Sequence, residues 1–584
     1  MPSLTARLRL GAVPAALRRC PHKRAKQPRP ALRAPHATGV ADDTDDAAFS
    51  GRDLSHETDV VVVGAGVSGL CCAAVLAHAG LGVTVFEAHS RAGGAAHSFE
   101  RDGFSFDSGP SFYFGLQDAK GTSLNALKQV LDLLDERIDC ASYDRWRVHT
   151  PEGVFDCSTD ASEYAATIER FAGAEGLAQW RALEARMAPL SSFSGVLPFA
   201  ALRGDAAVAL SLARFAPGLA SGMVQLAQSP GGLPAALAAL QGSFGGVVDA
   251  AGVTHPFLRA LIDLESFVIS GCLAAGTPAP EMAFVLSERF RKGATLDHPL
   301  GGGQAWVDAL CRGLAKRGGR LHLRAPVERV VLDGAGRAAG VRLAGGRGTI
   351  TARRGVVSSL SVWDNVKLLP PGTLSPPALA AVDATPECGS FLHLHLGFDA
   401  RGLDLASIGI HHLVVNDLTG GKLDGDRNVI NISIPTALDD SLAPSGFAVA
   451  HVYGAANEPF DDWAALKRGS AEYKEKKEER ARVLWAALER IIPDVRRRAK
   501  TAMVGTPLTH ARYLRRHRGS YGPALAPNNW PGPVSEVPGL LRCGDSCFPG
   551  IGVPAAAASG VIAANTLLPI GAHLQVLDDV ARRE

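Results

Sequence analysis

The run Gly64-Ala65-Gly66-Val67-Ser68-Gly69, with Glu87 eighteen residues beyond it, has the residue types and spacing to hold a pyrophosphate and a ribose. Gly64 suits a tight turn, Gly66 leaves room for backbone to approach a phosphate, and Gly69 lets a helix pack close to a strand. Glu87 can accept hydrogen bonds from ribose hydroxyls, and an acid there disfavours a 2′-phosphate and hence NADP. Arg91-Ala92-Gly93-Gly94-Ala95-Ala96-His97 offers a second glycine turn close by. Near the other end, Gly544-Asp545 and Pro549-Gly550-Ile551-Gly552-Val553-Pro554 form a third glycine-rich loop. His393 and His395 alternate at period two and so share one strand face; a polar strand face is preferred there to a catalytic pair. No Ser-His-Asp set or nucleophile elbow occurs in a believable context, so no side chain is assigned a catalytic role.

These residues need elements to position them. Thr58–Val63 is β-branched and uninterrupted, as a buried parallel strand requires. Residues 68–79 have helical propensity and small side chains, with Gly80 suited to the C-cap. Val83–Phe86 reads as a second strand ending at Glu87. Strand, glycine turn, helix, strand and acid stand in register, and the helix N-terminus would present N–H groups and positive partial charge to phosphates. Residues 98–107 read as a hairpin running into Gly109, Pro110 and Ser111. Gly301-Gly302-Gly303-Gln304 opens a helix over 305–316, and a strand pair turns at Gly334–Gly336. A short strand ends at Gly544-Asp545, and an Ala-rich helix starts near Pro554, where a missing N–H costs nothing.

The glycine pair after an acidic residue, the following hairpin and Asp107-Ser108-Gly109 resemble the flavin amine oxidase and carotenoid desaturase superfamily. Gly544-Asp545-Ser546-x-Phe548-Pro549-Gly550-x-Gly552-Val553-Pro554 is similar to the pattern of plant carotenoid isomerases and their desaturase relatives. The resemblance covers about 56–115, 295–365 and 500–570. It implies an α/β fold: a Rossmann-like FAD-binding domain of the amine oxidase type with an inserted α+β substrate domain. The implied segments are 51–115, 295–365 and 535–584 for FAD, and 116–294 and 366–534 for substrate. The implied cofactor contacts are Gly64, Ala65, Gly66, Val67, Ser68, Gly69, Glu87, Ala88, Arg91, Gly93, Gly94, Ala95, Gly109, Pro110 and Ser111. Further along they are Val327 (to adenine through its backbone), Gly544, Asp545 at the ribityl or pyrophosphate, and Gly552, Val553 and Pro554 at the flavin's pyrimidine edge. Ala95 stands where the superfamily has an arginine, which weakens an amine-oxidase reading and leaves His97 or Arg91 as phosphate neighbours. The activity implied is redox-neutral cis–trans isomerisation of an apolar polyene by reduced FAD. The alternatives are a desaturase passing electrons to quinone or oxygen, a saturase or amine-type oxidase, and a flavin-containing pigment- or lipid-binding protein without turnover. Gly334-x-Gly336-x-x-x-Gly340 lacks a following helix, so no separate NAD(P)H domain is expected.

Composition bounds the rest. With 584 residues, 46% hydrophobic and 20% charged, the chain can bury a core without disulfides or metals. The ten cysteines form no CxxC pair and no zinc spacing, so no metal is expected. Residues 1–40 hold nine Lys or Arg and no acid. The remainder is 51 basic against 58 acidic, which excludes a broad polyanion binder. This Arg-rich start, acid-free up to Asp42, is expected to belong to a transit peptide to the plastid over residues 1–50, with the mature chain stromal or membrane-associated. No charge occurs from Phe215 to Val248. Interruptions by Gly and Pro exclude a clean span of that stretch, leaving peripheral membrane contact over an apolar tunnel or a buried helical layer. The arginines at 512, 515, 516 and 518 are expected in a solvated loop, with anionic lipid as the lesser alternative.

Overall fold

Four consecutive valines demand burial on both faces of a strand. In the computed structural model, Val60–Val63 are at most 4% exposed within β1 (His56–Val63). The structure describes residues 53–109, 111–420, 422–526 and 529–582; the leader over 1–50 and Pro110 lie outside them. β1 pairs in parallel with β2 (Val83–Phe86) on one side and with Thr349–Ser358 on the other. Helix α1 (Val67–His78) makes the crossover between β1 and β2. The sheet runs in the order Val327–Leu332, Ala338–Leu343, Thr349–Ser358, β1, β2, Arg320–His322, and Leu540–Arg542 pairs in parallel with Thr349–Ser358. Three distant stretches of chain thus build one layer. The hairpins expected at Ser98–Asp107 and 327–343 both form.

Glycine decides how closely this layer is packed. A Cβ on Gly69 would stand 2.1 Å from the carbonyl oxygen of Gly64, and one on Gly560 2.2 Å from that of Ser68. Gly560 lies in the helix Val553–Leu567, so that helix is seated directly on the first turns of α1. The adjacent thiols of Cys71 and Cys72 are fully buried in this contact region, as small apolar groups.

A second seven-stranded sheet runs Ala499–Gly505, Ser390–Asp399, Phe447–Glu458, Val429–Ser433, His411–Val415, Arg145–Thr150, Gly153–Ser158. All its pairs are antiparallel except Arg145–Thr150 with His411–Val415. The two stretches read as substrate segments therefore share a single sheet. The 34-residue helix Ala161–Ser194, broken at Gly173, and the helices Pro256–Ser270 and Ala279–Phe290 pack together near its 145–158 edge. Within that packing the Arg289 guanidinium lies 2.7 Å from Glu265 and donates twice to the Ser158 carbonyl.

The charge-free stretch divides. Phe244–Ala250 is largely buried, but Ala216–Ala227 and Gly232–Gln241 bury only Gly222, Leu226 and Ala236. Val224 is 56% exposed and Leu210, just before them, 58%. A buried layer is therefore overturned for those two helices. No helix among the described residues is long and apolar enough to cross a membrane. The helix Ala471–Glu489 docks by one stripe that buries Tyr473, Leu484 and Leu488, and that stripe includes Arg480, buried between Glu458 and Asp426.

Candidate functional site

At the C-terminal end of β1 the chain turns through Gly64 at φ +92°, a conformation that favours glycine. The Glu87 carboxylate, at the end of β2, accepts from the N–H of Ala65 and of His89, each at 2.7 Å. Ala88 lies between them in the same turn. The second glycine turn closes on the first: Gly93 N–H donates to the Ala65 carbonyl at 2.8 Å. A Cβ on Gly94 would come within 3.0 Å of Gly66 Cα. One on Gly66 would meet nothing nearer than Gly94 Cα at 4.0 Å, so the flank of Gly66 is open. Gly109 is held against Ala95, whose carbonyl oxygen would lie 2.2 Å from a Cβ there. Ala325 N–H bonds the Glu87 carbonyl, which brings Val327 near the same strand end.

Two helices begin here with their amides unclaimed by side chains. The residue before α1, Gly66, is extended, with no side-chain cap and no acid in the first turn. Gly552, at φ +104°, precedes Val553–Leu567 with no side-chain cap, and Pro554 occupies the first turn. Helix starts ordinarily satisfy these donors with Ser, Thr or Asp. Uncapped amides beside an open glycine flank fit an anionic dinucleotide. Gly544 joins the cradle: a Cβ on it would stand 3.5 Å from Ser68 Oγ, and its N–H donates to Ser559 Oγ.

The phosphate neighbours expected from sequence are otherwise engaged. The Arg91 guanidinium donates to the Ser98 carbonyl at 3.3 Å, and His97 Nδ1 lies 2.8 Å from the Gly94 carbonyl. Both brace the hairpin and the second glycine turn. Asp545 pairs with Arg516, so the arginine cluster is not a free cationic loop. Arg516 also donates to the Ser520 and Tyr521 carbonyls, and Arg518 pairs with Glu387 and Asp461. Cys543 and Cys547 are both buried, and burial pushes the Cys547 thiol up to about 12.

The polar strand face expected at His393 and His395 is interior. Both are at most 8% exposed, and His451 joins them from the neighbouring strand Phe447–Glu458. His510 comes from the helix Pro507–Tyr513. Nitrogens of His393, His395 and His451 lie within 4.8 Å of one another. His451 and His510 lie far along the chain, so no local spacing announces the group. Burial holds His393 and His451 well below the ordinary imidazole range, and pushes His395 down to about 4 and His510 to about 3. All four are neutral at pH 7. Nearby, His411 Nε2 donates to the Ser111 carbonyl at 3.1 Å, and its ring stacks on Phe112.

The chain is similar to known proteins in sequence and fold. The family model for flavin-containing amine oxidoreductases aligns with residues 67–568, and the chain belongs to that family: it is a flavoenzyme, and its cofactor is FAD. A solved oxidoreductase from Methanosarcina mazei shares the fold, with a TM-score of 0.54 at 18% identity over 86% of this chain and 99% of that one. Within the family the chain falls with the carotenoid isomerases and desaturases. It is 31% identical to a chloroplastic prolycopene isomerase of an Oncidium hybrid cultivar, over 88% of this chain and 84% of the relative. It is 25% identical to a lycopene-forming phytoene desaturase of Pseudescherichia vulneris, over 87% and 98%.

Proposed function

We propose that this protein isomerises cis double bonds of an apolar polyene without net oxidation. The observation that favours it is the 31% identity to a prolycopene isomerase along nearly the whole chain, against 25% to a desaturase. When bound, FAD supplies a two-electron store that can lend electron density to a conjugated chain and take it back. The uncapped amides of Val67, Ser68 and Gly69 at the start of α1 would hold its pyrophosphate, with the backbone of Gly66, Gly93, Gly94 and Ala95 alongside. Glu87 would take the ribose, Val327 the adenine, and Gly109 and Ser111 would line the path toward the flavin ring. Gly544 and Asp545 would border the ribityl chain, and the helix start at Gly552, Val553 and Pro554 would favour negative charge on the pyrimidine edge. The first sheet is then the cofactor layer, and the second the substrate layer.

Two further parts belong to this reading. The exposed apolar side chains of Ala216–Ala227 and Gly232–Gln241 would rest in a membrane surface and draw the polyene from it. The setting would be the plastid, as for the chloroplastic relatives. The test is anaerobic incubation of the FAD-loaded, reduced enzyme with a cis-polyene on liposomes. Isomerised product with no acceptor reduced supports the reading. Product formed only with stoichiometric quinone or oxygen consumption would make the protein a desaturase.

A further inference from the structure

His451, His393 and His510 stand edge to edge. His393 Nδ1 is 2.7 Å from His451 Nε2, and His393 Nε2 is 2.5 Å from His510 Nε2. The ring centroids are 5.0 and 4.7 Å apart, with interplanar angles of 16° and 8°. Two imidazoles joined by a straight in-plane N–H···N bond have centroids separated by the N···N distance plus about 2.3 Å. That sum reproduces both separations, so the three rings form one nearly planar hydrogen-bonded row. A neutral imidazole has one donor and one acceptor nitrogen. One set of tautomers therefore satisfies both bonds, leaving a donor at one terminal nitrogen and an acceptor at the other. The terminal nitrogens, His451 Nδ1 and His510 Nδ1, are both buried without a hydrogen-bond partner. The His451 end borders a cavity of about 10 Å³ lined also by Asp107, Ser111 and Ser433, room for one water.

We propose that His510, His393 and His451 are a proton relay through the substrate sheet. A proton taken up at one terminal nitrogen is matched by one released at the other, as each ring passes on the proton of its far nitrogen. The row stays neutral and only its bond direction reverses, which suits a site too dry to charge an imidazole. His393 is buried, with Phe391 5.2 Å and His395 5.6 Å away, so restoring the starting direction by rotation would require closely packed rings to turn. A packed row of this kind runs once each way per cycle. It therefore serves chemistry that borrows a proton and returns it, and in this it rests on the redox-neutral reaction proposed above. Ligation of a metal by His393, His395 and His451 is the competing use. Nitrogens 2.7 and 2.5 Å apart are hydrogen-bonded, however, and do not splay around an ion.

The test uses the FAD-loaded protein labelled with ¹⁵N-histidine. Nitrogen–nitrogen couplings across hydrogen bonds are expected for His451–His393 and His393–His510. His393→Gln should remove both and His510→Gln only the second, with FAD content unchanged. Proton uptake on photoreduction of the flavin, followed with an indicator dye, should slow on the order of 100-fold in both variants. That readout needs no polyene, so a wild type that relays protons but isomerises nothing refutes the reaction and leaves the relay standing. Absent couplings, or unchanged proton uptake in His510→Gln, would overturn the relay. Stoichiometric Zn²⁺ uptake that erases the couplings and is lost in His395→Ala would make the row a metal site.

Discussion

The Asp545 carboxylate lies 2.5 Å from the Arg516 guanidinium, both about four-fifths buried, and this pair ties the C-terminal glycine-rich loop to the 516–521 turn. Arg516 holds that turn through the carbonyls of Ser520 and Tyr521. Removing either charge leaves the other partly desolvated and unpaired, at a cost of about 1–3 kcal/mol. Asp545→Asn is expected to lower melting temperature by several degrees and FAD retention about tenfold, read from flavin fluorescence after dialysis. Full retention at unchanged stability would show that the pair supports neither.

Gly66→Val should abolish FAD retention, because its side chain would occupy the open flank between the two glycine turns. The apo-protein should still fold, since that flank contacts no core atom. Purification of this variant with stoichiometric flavin would displace the phosphate site from α1.

Arg289 is enclosed by Trp146, Tyr164 and Phe290, with ring centroids 4.3–4.8 Å from its guanidinium carbon, and is paired to Glu265. Arg289→Met strands a buried carboxylate and the Ser158 carbonyl. A loss of about 3 kcal/mol is expected in urea unfolding, with the flavin spectrum unchanged where the variant is folded. A loss under 1 kcal/mol would mean that the helical layer relaxes around the unpaired acid.

Stability should fall on acidification before most carboxylates titrate. The unfolded chain protonates its imidazoles near about 6.5. In the folded chain burial delays this to about 4 for His97, His395 and His412 and to about 3 for His510. Below 6.5 the unfolded state therefore binds more protons, and stability declines as pH falls, by about 1.4 kcal/mol per pH unit for each ring that differs. Carboxyls that burial raises, Asp107 and Glu281 (the latter to about 8) among them, oppose the trend between their unfolded and folded titrations. Melting temperatures between pH 7 and 4 should show this slope, and His510→Gln should flatten it. A flat profile would mean that the rings are wet.

The amino-acid order alone determined the local half of this protein. β1, α1, β2, the Ser98–Asp107 hairpin and the helices from Gln304 and Val553 are each written in a few consecutive residues, since period, glycine spacing and helix-start chemistry act within about ten positions. The proposed dinucleotide cradle is read from those local units. What the tertiary structure decided is which distant residues meet. Asp545 found Arg516, His393 found His451 and His510, and Arg289 found Glu265, each through pairings between elements that no short window of sequence contains. Burial is the physical reason that these meetings matter. The same histidine on a strand is an ordinary solvated base when its face is wet and a neutral hydrogen-bonding link when a second layer covers it, and only the packed sheets determine which.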